Sequence, residues 1–394
     1  MTRAQRAGSH DAGEVKGWQR NPFHYGSPVA GDGFADRAVE LEALVRRMLD
    51  GQNVIVLSPR RYGKTSLLQR AIEQVRRRGG RSGYASLIRA SNRREIAEVL
   101  LEAVLSGPAG WLTRRRSELA QLLSGLRVQP AITVHPSGAM QVTFSATPAE
   151  VSWEGVLADT LRILSSVAKQ RRTSLVIDEF QRVPEIDAGL PGVFKAIADE
   201  LRDVSLVFAG SKLHVMRELS SGPGAPLLGM GERISLDVIT ESEMVAFLVR
   251  RANAGGKTMT PEVATGIYQK VDGVPNDVQK LAYAAFAAAA AAVDEDAVRA
   301  GFDEIVTLEV VDYAELLDNL SPAQQRLLRV LAVTPTASVY GHEFLHTVDV
   351  NNANSVRKAL DVLTRRELVR RGSDGKWCVA NPFFRNWLSP ASGA

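Results

Sequence analysis

Short apolar runs alternate with segments of helical periodicity along the chain up to Thr240. Runs such as Asn53–Leu57 (NVIVL) consist mostly of apolar residues, which is typical of strands buried on both faces of a parallel sheet. The predicted strands are Asn53–Leu57, Gly83–Ile88, Ser174–Ile177, Ser205–Ala209 and Ile234–Leu236. The predicted helices are Arg37–Met48, Lys64–Arg77, Arg93–Leu105, Ser152–Lys169 and Pro191–Leu201. This alternation predicts an α/β fold whose parallel sheet is covered by helices on both faces.

Two segments inside this region follow a different pattern. Ala131–His135 and Met140–Phe144 alternate apolar and polar side chains on either side of a Pro-Ser-Gly-Ala turn at residues 136–139. That pattern is typical of a β-hairpin. We expect the hairpin, at about residues 126–146, to be an insertion into the α/β domain.

The pattern changes after Thr240, where helical periodicity continues with no predicted strands between the helices. These helices are Glu241–Asn253, Pro261–Val271, Asn276–Ala292 and Glu295–Leu317. Ser321 and Pro322 resemble an N-cap followed by proline at the first helical position. They open a last unit with helices Ala323–Ala332, His342–Val348 and Asn354–Arg365 and a hairpin of Leu368–Arg371 and Trp377–Val379. The predicted domains are therefore a loose tail (1–20), an α/β core (21–239), a helical domain (240–317) and a C-terminal domain (318–394).

The composition excludes several classes of protein. Of the 394 residues, 45% are hydrophobic and 23% are charged, which is close to the globular average and rules out a disordered or fibrous chain. No apolar run is long enough to span a bilayer, and the N-terminus lacks the apolar region of a signal peptide. The single cysteine, Cys378, cannot form an internal disulfide, so we expect a core residue in a cytoplasmic protein.

The charge is distributed unevenly along the chain. The net charge is +4 at pH 7, yet from Ser321 onward there are ten Lys or Arg against five Asp or Glu. The rest of the chain therefore carries a net charge of −1. The basic surplus belongs to the last predicted domain.

The strongest chemical signal lies between the first predicted strand and the helix that follows it. The segment Ser58–Thr65 follows the P-loop pattern, with Ser58 at the position of the first glycine. Such a turn exposes backbone N–H groups to phosphate, and the helix N-terminus adds positive potential. Lys64 would reach the β- and γ-phosphates, and the Thr65 hydroxyl would bind Mg²⁺. The predicted nucleotide-binding residues of this segment are Ser58, Pro59, Arg60, Arg61, Tyr62, Gly63, Lys64, Thr65 and Ser66.

A second signal follows the third predicted strand. Asp178 and Glu179 come directly after an apolar run, as in a Walker B motif, where Asp178 would hold Mg²⁺ through water and Glu179 would be the general base. A chance match is the alternative for either motif alone, but together they favour ATP hydrolysis. Ser211, beyond the fourth strand, is predicted to contact the γ-phosphate or position the water, the alternative being a helix N-cap.

Six segments, in this order, resemble one family of ATPases. They are Asn21–Phe23 with Phe34–Leu41, Pro59–Leu67, Ile177–Gln181, Gly210–Ser211, Gly273–Pro275 and Asn381–Leu388. Over nearly its whole length after residue 20, the chain is similar to the archaeal-type ATPases of the STAND class, which are relatives of AAA+ initiator ATPases. The resemblance implies an AAA+-like P-loop core, a helical lid domain and a C-terminal winged-helix domain.

The resemblance also implies roles for residues outside the two motifs. Phe34 and Arg37 would lie near the adenine, and Pro275 would approach the nucleotide from the lid. Arg233 is similar in position to an arginine that acts on a neighbour's γ-phosphate in related initiators, which would require a homo-oligomer. The alternative for Arg233 is a structural arginine that pairs with an acid.

The last predicted helix before the C-terminal hairpin carries basic residues at Arg357, Lys358, Arg365 and Arg366. In a winged helix this helix enters the major groove of duplex DNA. The alternative is a solvated face beside an apolar stripe.

Three hypotheses on function stay open from the sequence. The first is a Mg²⁺-dependent ATPase switch that couples nucleotide state to lid and winged-helix position. The second is a nucleotide-controlled DNA-binding protein similar to initiators or transposition regulators. The third is a signalling or defence scaffold held in an ADP state, for which a protein partner would supply the effector.

Overall fold

The computed structural model describes residues 21–27, 35, 37–110, 116–135, 140–144, 151–169, 171–349, 353–372 and 374–389. The predicted tail at residues 1–20, Phe34 and the predicted turn at residues 136–139 lie outside these ranges. The chain divides into two compact units. The sheet unit comprises residues 25–244 and 273–278. The helical unit comprises residues up to 24, 245–272 and 279–394.

The sheet unit is built around five parallel strands. Its helices are α1 (Ala38–Asp50), α2 (Lys64–Arg77), α3 (Arg93–Ser106), α4 (Arg116–Leu123), α5 (Trp153–Ala168), α6 (Arg182–Ile186), α7 (Leu190–Glu200) and α8 (Leu213–Ser220). Its strands are β1 (Val54–Leu57), β2 (Arg81–Ser86), β3 (Pro130–Val134), β4 (Met140–Phe144), β5 (Thr173–Asp178), β6 (Val204–Gly210) and β7 (Glu232–Ser235). The main sheet has the order β2-β5-β6-β1-β7, and every neighbouring pair is parallel. The predicted parallel α/β core is confirmed.

Strand β1 shows why the central strands are apolar on consecutive residues. Val54 and Val56 belong to the hydrophobic cluster formed with α1 and α2 on one face of the sheet. Ile55 and Leu57 belong to the cluster on the opposite face, with residues of α3, α5 and α7. Because successive side chains of a strand point to opposite faces, a strand covered on both faces must be apolar throughout.

The predicted hairpin is present as an antiparallel pair of strands, β3 and β4. Val142 and Phe144 on β4 are buried, while Thr143 between them is exposed. The Phe144 ring packs edge-on against Trp153 at the start of α5, with the ring centroids 5.7 Å apart. The alternating pattern thus reflects one covered face and one solvated face.

The helical unit begins within α9 (Glu241–Ala254), which extends into it from the sheet unit. Its next helices are α10 (Pro261–Lys270), α11 (Pro275–Ala288), α12 (Glu295–Leu308) and α13 (Val310–Asp318), with α11 starting in the sheet unit. The prediction of helices without strands between them is wrong, because β8 (Thr258–Met259) and β9 (Ala292–Val293) pair in parallel. Helix α11 ends at Ala288, before the predicted end at Ala292. The predicted helix Glu295–Leu317 is also interrupted, at Glu309.

The last part of the chain contains α14 (Pro322–Val333), α15 (His342–Thr347), α16 (Ala353–Arg365), β10 (Val369–Arg371), β11 (Trp377–Val379) and α17 (Pro382–Leu388). Ser321 and Gln324 form a capping box that fixes the start of α14. Strands β10 and β11 are antiparallel, as predicted for the hairpin. Cys378 lies buried in β11, which confirms its predicted core position. No helix in the described part of the chain is long and apolar enough to cross a membrane.

Candidate functional site

The loop between β1 and α2 has the backbone conformation that the P-loop pattern requires. Gly63 has φ 85° directly before the first residue of α2, a value that favours glycine. Arg61 also has a positive φ, of 71°. Ser58 is not among the described residues with positive φ, so a side chain at this position imposes no backbone strain. Its amide donates a hydrogen bond to the carbonyl of Gly210, which joins the loop to the end of β6.

The two predicted motifs meet at the carboxyl ends of β1 and β5. The Lys64 Nζ pairs with Asp178 Oδ1 and lies 2.7 Å from Glu179 Oε1. The side chains of Lys64 and Asp178 are almost fully buried, at 6% and 2% exposure. Because buried carboxylates need compensating charge, the Lys64 ammonium at the start of α2 offsets part of the negative charge of the two acids.

A second layer of polar side chains holds Glu179. Its Oε2 accepts hydrogen bonds from Gln181 Nε2 and from Ser211 Oγ, the latter at 3.1 Å. Gln181 also accepts a hydrogen bond from the Ser211 amide at 3.2 Å. The N-cap position of α8 belongs to Lys212, so the alternative of Ser211 as its N-cap is wrong. Glu179 itself has φ 58°, a conformation that non-glycine residues adopt rarely and that is often found at functional sites.

The electrostatic surroundings keep Glu179 ionised. Burial alone would raise its pKa, but the charge of Lys64 and hydrogen bonds from Lys64, Gln181 and Ser211 hold the pKa below its ordinary value. Asp178 is approached from its other side by Tyr84 of β2, whose hydroxyl donates to Asp178 Oδ2 at 2.8 Å. Burial, together with the nearby carboxylates, raises the pKa of Tyr84 far above its ordinary value, so the phenol keeps its proton.

The residues present fit Mg²⁺ carried by a nucleotide. Asp178 offers a carboxylate oxygen and Thr65, the second residue of α2, offers a hydroxyl, both of the hard oxygen type that Mg²⁺ prefers. A cationic group, the Lys64 ammonium, already lies against both acids. The described residues contain no cluster of three or more His, Cys, Asp or Glu that could hold a metal. Mg²⁺ would therefore need phosphate and water to complete its coordination.

Of the other predicted nucleotide residues, Arg37 contacts the loop, and Pro275 stands next to a residue that does. Arg37 is buried and donates hydrogen bonds to the carbonyls of Tyr62 and Asp237, so it connects the loop to the segment after β7. Pro275 opens α11, and the next residue, Asn276, donates its amide to the carbonyl of Arg61. The guanidinium of Arg61 also pairs with the buried Asp277 at 3.2 Å.

The remaining predicted residues lie apart from the Lys64–Asp178–Glu179 cluster or in the other unit. Arg233 is exposed on the edge strand β7 and donates a hydrogen bond to Ser221 Oγ. The predicted DNA-contact residues belong to the helical unit and are all exposed: Arg357, Lys358 and Arg365 on α16, and Arg366 directly after it. Arg366 also donates to the carbonyl of Asn319.

Sequence reasoning assigned no role to Tyr84, Gln181 or Asp277, although all three contact a predicted site residue. Gln181 stands two residues after Glu179 and ends the segment Ile177–Gln181 that resembles the ATPase family, and these were the available signals. Tyr84 lies within β2, where the register pairs it with Val176 rather than with Asp178. Its contact with Asp178 depends on strand pairing across about ninety residues, an interval that no local pattern reveals.

Comparisons with known proteins bear on the fold. A family model described as a probable winged helix domain matches residues 311–390. The chain is similar to the Walker-type ATPase PABY2304 of Pyrococcus abyssi, with a TM-score of 0.63 and 15% identity, covering 91% of this chain and 96% of that one. It is also similar to the ORC1 protein of Aeropyrum pernix in complex with DNA, with a TM-score of 0.49 and 18% identity over 91% and 93% of the two chains. No curated protein matches the sequence.

The likeness to the Pyrococcus abyssi protein establishes the fold. It spans both units of this chain, and with the winged-helix match it confirms the predicted P-loop core and C-terminal winged helix. An identity of 15% carries the fold alone.

Proposed function

We propose that this protein binds ATP with Mg²⁺ at the Ser58–Thr65 loop, hydrolyses it, and uses the nucleotide state to set the position of its lid and winged helix. The observation that supports the proposal most is the convergence of Lys64, at the start of α2, with Asp178 and Glu179, at the end of β5. A reducing compartment such as the cytoplasm suits the free thiol of Cys378.

The residues of the site divide the work of hydrolysis. Backbone amides of the loop and the start of α2 bind the phosphates, and Lys64 exchanges a carboxylate for phosphate oxygens. Mg²⁺, held by Thr65 and through water by Asp178, would neutralise charge on the phosphate oxygens. Glu179, ionised and oriented by Gln181 and Ser211, accepts a proton from the attacking water. Lys64 and Ser211 would stabilise the charge that develops on the γ-phosphate.

Two substitutions test this function. Lys64→Ala removes the phosphate-binding ammonium and should abolish ATP binding, measured with a fluorescent ATP analogue. Glu179→Gln keeps the shape of the side chain but not its basicity, so it should bind ATP and hydrolyse it about a hundredfold more slowly or worse.

Matched controls lie nearby in Lys212→Ala and Glu185→Gln, which disrupt an ion pair of 2.6 Å outside the cluster. Both control variants should bind and hydrolyse ATP like the wild type. If hydrolysis is unaltered in Lys64→Ala and Glu179→Gln, the assignment is wrong.

We propose as a second candidate that the winged helix binds duplex DNA under nucleotide control. It is favoured by the exposed basic side chains of α16, whose apolar side is buried through Val356, Leu360 and Leu363. Such a helix presents one charged face to phosphates. This function would make ATP binding a control on DNA affinity.

Fluorescence anisotropy with labelled duplex tests the second candidate. The Glu179→Gln protein, loaded with ATP and Mg²⁺ or with ADP, should bind more tightly in the ATP state and lose affinity at higher salt. The slope of the logarithm of the binding constant against the logarithm of the salt concentration measures the number of phosphate contacts. In the double variant Arg357→Ala, Arg365→Ala this slope should decrease by about one for each arginine that pairs with a phosphate in the wild type. Arg299→Ala, an exposed arginine of α12, is the control. Absence of binding in both nucleotide states would refute DNA binding and would favour a protein partner for the winged helix.

A further inference from the structure

Tyr84 lies beside the proposed metal ligand although it belongs to a different strand. It stands in β2, at the edge of the main sheet next to β5. Its ring is partly buried against the hydrophobic cluster of α1 and α2, so the side chain is held along its length. Its hydroxyl donates a hydrogen bond of 2.8 Å to Asp178 Oδ2.

The two carboxylate oxygens of Asp178 accept hydrogen bonds from different groups. Oδ1 accepts the Lys64 ammonium and the Glu179 amide, the latter at 2.8 Å. Oδ2 accepts the Tyr84 hydroxyl. Because Asp178 is 2% exposed, bulk water has little access to replace a lost partner. The carboxylate plane is therefore fixed by groups on three sides.

Tyr84 can act only as a donor towards this carboxylate. An ionised carboxylate oxygen can only accept a hydrogen bond, so the phenol hydroxyl must be the donor. Without the hydroxyl, Oδ2 would be a buried carboxylate oxygen lacking this donor. The carboxylate could then turn both oxygens towards Lys64, and the ammonium would compete with an arriving Mg²⁺.

We propose that Tyr84 is a positioning residue that keeps Asp178 Oδ2 turned towards β2 and Oδ1 towards Lys64, and thereby sets the affinity of the nucleotide site for Mg²⁺. This inference rests on the proposed ATP-binding function. Loss of a hydrogen-bond partner that orients a metal ligand commonly lowers metal affinity by about 10- to 100-fold. In this chain the partner is supplied by the edge strand rather than by either motif.

Tyr84→Phe tests the inference, because it removes one hydroxyl and leaves the ring. The affinity for a fluorescent ADP analogue is measured first in EDTA and then over a Mg²⁺ titration. Affinity in EDTA should equal that of the wild type, since the loop and Lys64 are unchanged. The Mg²⁺ concentration that gives half of the metal-dependent gain in affinity should rise by about tenfold or more.

Ser82→Ala is the matched control. Ser82 also lies on β2, and its hydroxyl accepts a buried hydrogen bond of 2.9 Å from Ser174 on β5, away from Asp178. The Ser82→Ala substitution weakens the same pair of strands and leaves the hydrogen bonds of Asp178 unchanged. The Mg²⁺ titration of this variant should therefore match that of the wild type. Thermal unfolding of both variants compares the structural cost of each change.

The outcomes separate the two proposals. If the wild type gains no nucleotide affinity from Mg²⁺, the proposed function itself fails. If the wild type shows the gain and Tyr84→Phe titrates like it, the positioning role of Tyr84 is refuted. An equal loss of Mg²⁺ affinity in Tyr84→Phe and Ser82→Ala would assign the effect to the strand pair and would also refute the role.

Discussion

Asp272 connects the last elements of the chain, β10 and α17, to the rest of the helical unit. It accepts hydrogen bonds from Arg370 of β10 at 2.7 Å and from both terminal nitrogens of Arg385 of α17 at 2.9 and 3.0 Å. It also has φ 54°. We predict that Asp272→Asn weakens the attachment of β10 and α17. Asparagine tolerates positive φ well, so the substitution tests the charge and leaves the backbone strain unchanged.

The size of the effect follows from this geometry. Hydrogen bonds to charged groups contribute about 1.5–3 kcal/mol each when they are well buried. The three side chains are 23–25% exposed, so solvent screens part of that energy. Asparagine also retains one acceptor oxygen. We therefore expect a loss of about 2 kcal/mol, which corresponds to a change of about 30-fold in a local opening equilibrium.

Hydrogen–deuterium exchange with peptide-level mass spectrometry measures this opening where it occurs. Peptides covering residues 369–389 should exchange about 30-fold faster in Asp272→Asn than in the wild type. Peptides of β5 in the sheet unit should exchange at the wild-type rate. The control is Asp296→Asn, which removes an ion pair whose side chains are 70% and 86% exposed, and it should leave every peptide unchanged. Exchange within twofold of wild type in residues 369–389 would refute the reasoning.

Two further predictions concern single side chains. If Arg233 acts on a neighbour's γ-phosphate, the wild-type ATP turnover per molecule rises with protein concentration, while the turnover of Arg233→Ala stays slow at all concentrations. A wild-type turnover that is independent of concentration and equal to that of the variant would exclude this role for Arg233. Burial raises the pKa of the Cys378 thiol, so a thiol-specific reagent at pH 8 should label the folded protein about tenfold more slowly, or worse, than the urea-unfolded chain. Because the folded thiol holds its proton more tightly, its contribution to stability is complete below the ordinary thiol pKa and declines as pH rises through the raised value. Equal labelling rates would contradict this burial.

Local sequence was enough to predict the central elements of the site. Helix α2 begins at Lys64, as predicted, because the loop residues before it cannot continue a strand and Gly63 supplies the positive φ that ends the turn. Asp178 is the last residue of β5, a strand buried on every residue, and Glu179 follows it, which places both acids at the end of the sheet. These features depend on neighbours within a few residues, where backbone preferences dominate.

Other features depend on contacts between distant segments and could not be read from periodicity. The continuous helix predicted across Glu309 breaks there, where the Glu309 side chain accepts Lys280 Nζ from α11 and the hydroxyl of Tyr313. Strands β8 and β9 contain two residues each, too few for an alternating pattern to show. The position of Tyr84 against Asp178 likewise follows only from the pairing of β2 with β5. In each case tertiary packing overrides or supplements local preference.

The arrangement of the helical unit has a consequence for how the chain folds while it is being synthesised. Residues 21–24 belong to this unit: Asn21 donates to the carbonyl of Tyr283, 262 positions further on, and the ring of Phe23 packs edge-on against Phe286. At the usual speed of ribosomes, roughly 13 to 52 seconds pass between the synthesis of the two ends of that contact. The sheet unit lies almost wholly between them, so it has time to fold first. Phe23 then lacks its aromatic partner on the nascent chain until Phe286 has been synthesised.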